Sequence, residues 1–151
     1  MIKLEKIKYP RLSPRQQENY NYTKVASALA EYGFQTIKLS DDWQTADFIA
    51  QHIDKKTFLK VQLKSKLCIS KKYTNKDLWI CFREKNHFYL YPHDEVMEHI
   101  LSNYNVGNTE SWKKNGIYYW PSLPKKISNF PSPDLNFAIA SISFCISTSF
   151  L

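Results

Sequence analysis

The sequence predicts an α/β (α+β) chain built on one central mixed β-sheet flanked by helices. Three observations predict it. A capped segment with helical spacing opens the chain, a series of short runs alternating apolar and polar residues follows, and a second helix-spaced segment comes after them. Helices on both sides of a run of strands pack most simply against one sheet. The length of 151 residues matches one ordinary domain, which hides roughly two-thirds of its unfolded surface without staples.

The first helix is delimited by its own chemistry. Ser13 stands where an N-cap belongs, Pro14 suits the first helical position, and Gln16 completes a capping box. Gly33 is a natural stop. Between them, Tyr22, Val25, Ala26 and Leu29 recur at helical spacing and mark a buried face, which Glu18, one turn earlier, extends. "FQTIKLS" (34–40) reads as the first strand and "ADFIAQHI" (46–53) as the second. After the turn "DKK", "TFLKVQLKSK" (57–66) reads as the third. In it Leu59, Val61 and Leu63 leave one face; Lys60, Gln62 and Lys64 leave the other. "LCIS" continues that strand or starts another, and "KKYTNK" is a polar loop. "DLWICF" and "HFYLY" are two more strands joined by "REKN". Pro92 ends the last, and "HDEVMEHILSNY" reads as a helix with His93 and Asp94 as its cap. "GIYYW" is a short strand and "PSLPKKISNFPSPD" a proline-broken loop. We therefore expect one domain over 1–135 and an apolar tail of unknown role over 136–151, a packed or frayed terminal element.

Composition narrows the function. Glycine occurs three times, so a Gly-rich phosphate loop is absent and P-loop and Rossmann readings are excluded. Lys and Arg number 21 against 14 Asp and Glu, a net charge of +7 that favours a polyanionic partner, nucleic acid first. Cys68, Cys81 and Cys145 are an odd set without zinc spacing, which suits a reducing, cytoplasmic compartment. "MIKLEKIKYPRLSPRQ" has no signal-peptide core, and the tail is shorter than the roughly 18 to 20 apolar residues that span a bilayer. No membrane role is expected.

The third strand carries the candidate site. Gln62 and Lys64 lie two apart and share a face. Asp47 belongs to the preceding strand, so hairpin pairing brings it toward Gln62, and Glu18 on the first helix would close the group. A magnesium ion is held by such hard oxygens: one or two carboxylates, a carbonyl and waters. Asp47 and Gln62 would supply side-chain oxygens and Val61 its carbonyl, with Mn²⁺ as a substitute for Mg²⁺. Lys64 would orient the attacking water or stabilise charge on phosphorus. Lys60, Lys66, Lys71, Lys72 and Lys76, interleaved with Tyr73, would track a phosphate backbone.

"ADFIA" followed by "FLKVQLKSK" resembles the core of the PD-(D/E)XK nuclease superfamily. That pattern has an acid near the end of one strand, acid-x-Lys on the next, and often a helical Glu before both. Asp47 matches the first acid, Lys64 the lysine and Glu18 the helical acid; Gln62 stands where Asp or Glu is usual. The Gln-x-Lys form is similar to the homing endonucleases of group I introns in cyanobacteria. The likeness runs from Ser13 to Asp94. It implies a restriction-endonuclease-like core, a metal-dependent endonuclease acting on DNA, double-stranded by expectation, and a homo-oligomer, since cutting both strands takes two active sites. Two departures stand out. Ala46 precedes Asp47 where Pro is usual, and Gln62 takes one negative charge from the metal site.

Each feature has a plainer reading. A polar strand face open to water, with lysines guarding an edge, accounts for Lys60, Gln62 and Lys64. Asp41 and Asp42 suit a turn. His87, His93 and His99 lack metal-ligand spacing, and Trp79, Phe82, Phe88 and Tyr89 suit a core better than a base-stacking platform. The alternative function is a catalytically inactive nucleic-acid-binding or defence-associated module on the same fold.

Overall fold

Helix α1 (Pro14–Ala30) begins where the capping chemistry predicts. Ser13 Oγ accepts from the Gln16 amide, and Gln16 Oε1 accepts from the Ser13 amide at 2.9 Å. This capping box satisfies two donors that a helix start otherwise leaves unpaired. Gly33, at φ +80°, turns the chain out of the helix into strand β1 (Phe34–Lys38), a conformation in which any side chain is strained. In this computed structural model, residues 2–41, 45–85, 87–128 and 140–143 are described.

Strands β2 (Phe48–His52) and β3 (Phe58–Lys64) follow as predicted, shortened by a residue or two at their ends. β1 and β2 pair antiparallel, as do β2 and β3. The chain then leaves the sheet through β4 (Cys68–Ser70) and a 3₁₀ turn at Lys71–Tyr73. It returns as β5 (Leu78–Glu84), parallel to β3. β6 (His87–Pro92) pairs antiparallel with β5. Helix α2 (His93–Asn103), helix α3 (Glu110–Asn115), strand β7 (Ile117–Tyr119), helix α4 (Lys125–Ser128) and strand β8 (Ala140–Ser143) complete the described chain. Among the described residues the main sheet is mixed, with the order β1-β2-β3-β5-β6-β8, and β4 pairs with β7 in a separate antiparallel ribbon. The α+β class with a mixed central sheet is therefore what the sequence predicts.

The sheet has a core on each face. Val25, Ala28 and Leu29 of α1 bury against Phe48, Ala50, Leu59, Val61, Cys81 and Leu90. The other face packs Ile80, Phe82 and Tyr91 against Leu67, Ile69, Tyr73, Val96, Ile100 and Trp112. Each such fully buried aliphatic chain contributes about 1.5–3 kcal/mol relative to exposure. Alternation in β5 feeds both cores at once, Leu78, Ile80 and Phe82 to one and Trp79 and Cys81 to the other, which explains why its apolar residues read as a near-continuous run; β3 gives Leu59, Val61 and Leu63 to the α1 side.

Three details differ from the sequence reading. His93 and Asp94 do not cap α2, whose N-cap is Pro92 without a side-chain bond. Instead His93 Nε2 accepts from the Ser70 amide at 3.0 Å and Asp94 Oδ2 from the Asn75 amide at 2.8 Å, tying the crossover to the helix. The proline-broken segment contains a helical turn, α4, because Pro124 supplies a carbonyl to the Ile127 amide and Ile127 is buried. Within the tail, β8 adds to the edge of β6 through Ala140–Ser143; Cys145 and Asp42 lie outside the described residues.

Candidate functional site

Asp47 stands one residue before β2, and its backbone is fixed on both sides. Its amide donates to the Val61 carbonyl at 2.8 Å, and its carbonyl accepts from the Leu39 amide at 2.9 Å. Because Phe48 is registered against Val61, Asp47 falls opposite Gln62. The carboxylate exploits that position. Oδ2 accepts from the Leu63 amide and from Gln62 Nε2, both at 2.6 Å. Bonds to an ionised acceptor are short and about twice as strong as neutral ones. Asp47 is thereby a clamp between β2 and β3 as well as a source of negative charge.

Gln62 meets Asp47 as the hairpin pairing predicts, but through its amide nitrogen. Nε2 also reaches the Leu63 carbonyl at 3.3 Å. In this arrangement Gln62 is a donor to the carboxylate. The Val61 carbonyl already receives the Asp47 amide, and a carbonyl keeps a second lone pair for another partner.

Lys64 lies two residues beyond Gln62 and is half-buried. Its ammonium sits over the Tyr73 ring, 5.3 Å from the centroid, so it turns toward the crossover. Burial disfavours the charge, but the Tyr73 hydroxyl, with the ionisable Tyr73, Cys68 and Tyr119 around it, outweighs burial and holds the pKa above its ordinary value. Lys64 is therefore a permanent cation at neutral pH, suited to stabilise an anion and unsuited to take a proton.

Glu18 departs from the expectation that it extends the buried face of α1. Its side chain is 56% exposed and its carboxylate points to Lys38 at 3.8 Å. The inward stripe belongs instead to Gln17, Asn21, Val25 and Ala28, spaced at i, i+4, i+8 and i+11. Gln17 Nε2 donates to the Tyr9 and Leu12 carbonyls, and Asn21 Nδ2 to the Tyr9 hydroxyl. Glu18 borders a cavity of about 240 Å³ that Leu63, Lys64, Ser65 and Arg83 also line, so it neighbours the end of β3 without bonding Asp47.

The basic run is spread over two elements. Lys60 and Lys76 are half-buried and Lys66 is exposed. Lys71 and Lys72 are exposed on the crossover, with ammonium groups 5.3 Å from the Trp112 ring and 5.9 Å from the Tyr73 ring. Sequence reasoning missed the Leu63 amide as the anchor of Asp47, since a backbone donor leaves no trace in residue type. It also missed Tyr73 as the partner of Lys64, for which the only signal is an aromatic residue within "KKY".

Among the described residues no group of three or more His, Cys, Asp and Glu is placed to hold a metal ion, and no helix is long and apolar enough to cross a membrane. No family model, curated protein or solved structure matches the chain.

Proposed function

We propose that the chain is a Mg²⁺-dependent DNA endonuclease with a restriction-endonuclease-like core of the PD-(D/E)XK type, acting as a homo-oligomer. The observation that carries this reading is the contact between Asp47 and Gln62, with Lys64 two residues farther along β3. The mixed sheet preceded by a capped helix and the basic excess support it.

The donor set fits a magnesium ion held by few protein oxygens. Mg²⁺ commonly keeps several waters and binds through one or two carboxylates plus substrate phosphates. Asp47 would supply the carboxylate, the Gln62 amide its oxygen after a half-turn about its last bond, and Val61 a carbonyl. Glu18, bordering the neighbouring cavity, would serve through water. The ion would polarise the phosphodiester and make a bound water acidic. The chain's own contribution is positional. The Leu63 amide and the Leu39 and Val61 contacts hold the Asp47 carboxylate in one place, and Lys64 brings a fixed positive charge for the phosphate.

Incubating supercoiled plasmid with the protein and Mg²⁺ tests this. Nicked or linear product should form with the native chain and fall at least about a hundredfold with Asp47→Ala or Lys64→Ala, the scale of losing one electrostatic stabiliser. Unchanged cutting by both variants removes the assignment.

One observation favours a second reading, a nucleic-acid-binding module without catalysis. Gln62 presents its NH₂ to Asp47 and so occupies the carboxylate that a metal needs. This reading predicts salt-sensitive DNA binding, no product with any divalent ion, and no Mn²⁺ uptake by calorimetry.

A further inference from the structure

Tyr73 lies at the centre of a cationic cluster. Its ring is 3% exposed and has two ammonium groups over it, Lys64 at 5.3 Å and Lys72 at 5.9 Å from the centroid. The two come from different elements, Lys64 from β3 and Lys72 from the 3₁₀ turn of the crossover. A third, Lys71, lies over Trp112. Like charges brought toward one ring repel unless an anion joins them. Among the described residues, neither Lys64 nor Lys72 has an ion-pair partner.

The ring that holds them is itself fixed. His93 meets it edge-on, with centroids 5.5 Å apart and an interplanar angle of 88°. His93 in turn is held by the Ser70 amide and by Asp94. The ring face attracts both cations, so the ammonium groups are ordered before any ligand arrives. Pre-ordering removes much of the entropy that free lysines lose on binding an anion.

We propose that Lys64 and Lys72, held by Tyr73, form a phosphate-binding pair that takes a backbone phosphate of a nucleic acid strand. This deepens the nuclease reading and rests on it for the identity of the polyanion. It makes Tyr73 a positioning residue: it shapes the site through the two lysines. Lys64 then serves both the pair and the Asp47–Gln62 site, so the strand bound at the crossover is the one presented to those residues.

The test is binding of a fluorescein-labelled DNA duplex by anisotropy across a KCl series, in EDTA so that no cutting occurs. Lys72→Ala should weaken binding and make the salt dependence shallower by about 0.9 in the log–log slope, the loss of one phosphate contact. Tyr73→Leu should weaken binding too although no charge is removed, and Tyr73→Phe, which keeps the ring but loses the hydroxyl contact to Lys64, should bind between Tyr73→Leu and the native chain. Lys56→Ala, in the exposed β2–β3 turn, is the control and should change binding less than Lys72→Ala. If Tyr73→Leu fails to fold by circular dichroism, the Lys72 and Lys56 comparison decides alone. Equal effects of Lys72→Ala and Lys56→Ala overturn the pair, as does native affinity in a folded Tyr73→Leu. The outcome is separable from catalysis. Plasmid cutting with Lys72-independent binding sinks the pair and leaves the nuclease; Lys72-dependent binding without cutting does the reverse.

Discussion

His93 shows how much one side chain can settle. It is fully buried, and its Nε2 accepts from the Ser70 amide, so its proton sits on Nδ1, facing Asp94 Oδ1 at 2.8 Å. Burial lowers its pKa below the ordinary value near 6.5, and the Asp94 carboxylate only partly offsets this. The unfolded chain therefore takes up a proton before the folded one does. Its contribution to stability is complete above about pH 6.5 and is lost as pH falls through that value toward the depressed folded pKa. Urea midpoints measured at pH 7.5 and 5.5 should show the native chain less stable at the lower pH. His93→Gln, whose amide oxygen can still accept from Ser70, should show a smaller drop. An equal drop in both would mean that other groups carry the acid sensitivity. The sequence placed His93 at a helix start, correctly, but the partner twenty-three residues upstream was invisible. The same limit applied to Asp47: pairing with Gln62 followed from hairpin logic, whereas the donor orientation of the amide is decided by the nearby Leu63 groups.

At the scale of elements, legibility followed local chemistry. The Ser13, Pro14 and Gln16 cap, the Gly33 exit and the alternation in β3 are signals read within a few residues, and each element lies where its signal predicts. The placement of Glu18 did not follow, because Tyr22 suggested one stripe and the hydrogen bonds of Gln17 and Asn21 to the N-terminal turn select another. The ribbon of β4 and β7 was also hidden, since its strands lie far apart in sequence. Gly116 governs that ribbon. It ends α3 at φ +64°, its amide bonds the Trp112 carbonyl, and its carbonyl receives the Lys71 amide at 2.7 Å. An added Cβ would stand 3.0 Å from Lys71 Cδ. Gly116→Ala should lose about 1–2 kcal/mol from the left-handed backbone alone. Gly107→Ala, where the nearest atom is 3.8 Å away and φ is not positive, should lose less. Urea denaturation of the two variants compares them, and an equal loss would refute a special demand at Gly116.

Across the whole molecule, the sheet is the frame on which everything else depends. Among the described residues its edge strands are β1, paired with β2, and β8, paired with β6 through the register His87–Ser143 to Leu90–Ala140. The apolar tail, of unknown role in the sequence, thus contributes backbone pairing through Ala140–Ser143. An unpaired strand edge invites association with other chains. A chain ending at residue 135 should lose roughly 1 kcal/mol for each ladder hydrogen bond that β8 supplied, and it should expose the outer edge of β6. Its urea midpoint should fall, and light scattering should show concentration-dependent association beyond that of the native chain. The candidate site lies on β2 and β3, four and three strands removed from β8 in the sheet order, so DNA binding by the fraction that stays monomeric should persist. Loss of binding in a monomeric, folded truncation would mean that the tail belongs to the nucleic-acid surface and that the site is wider than Asp47, Gln62 and the Tyr73 pair. An unchanged midpoint would mean that β8 adds no net stability to the sheet.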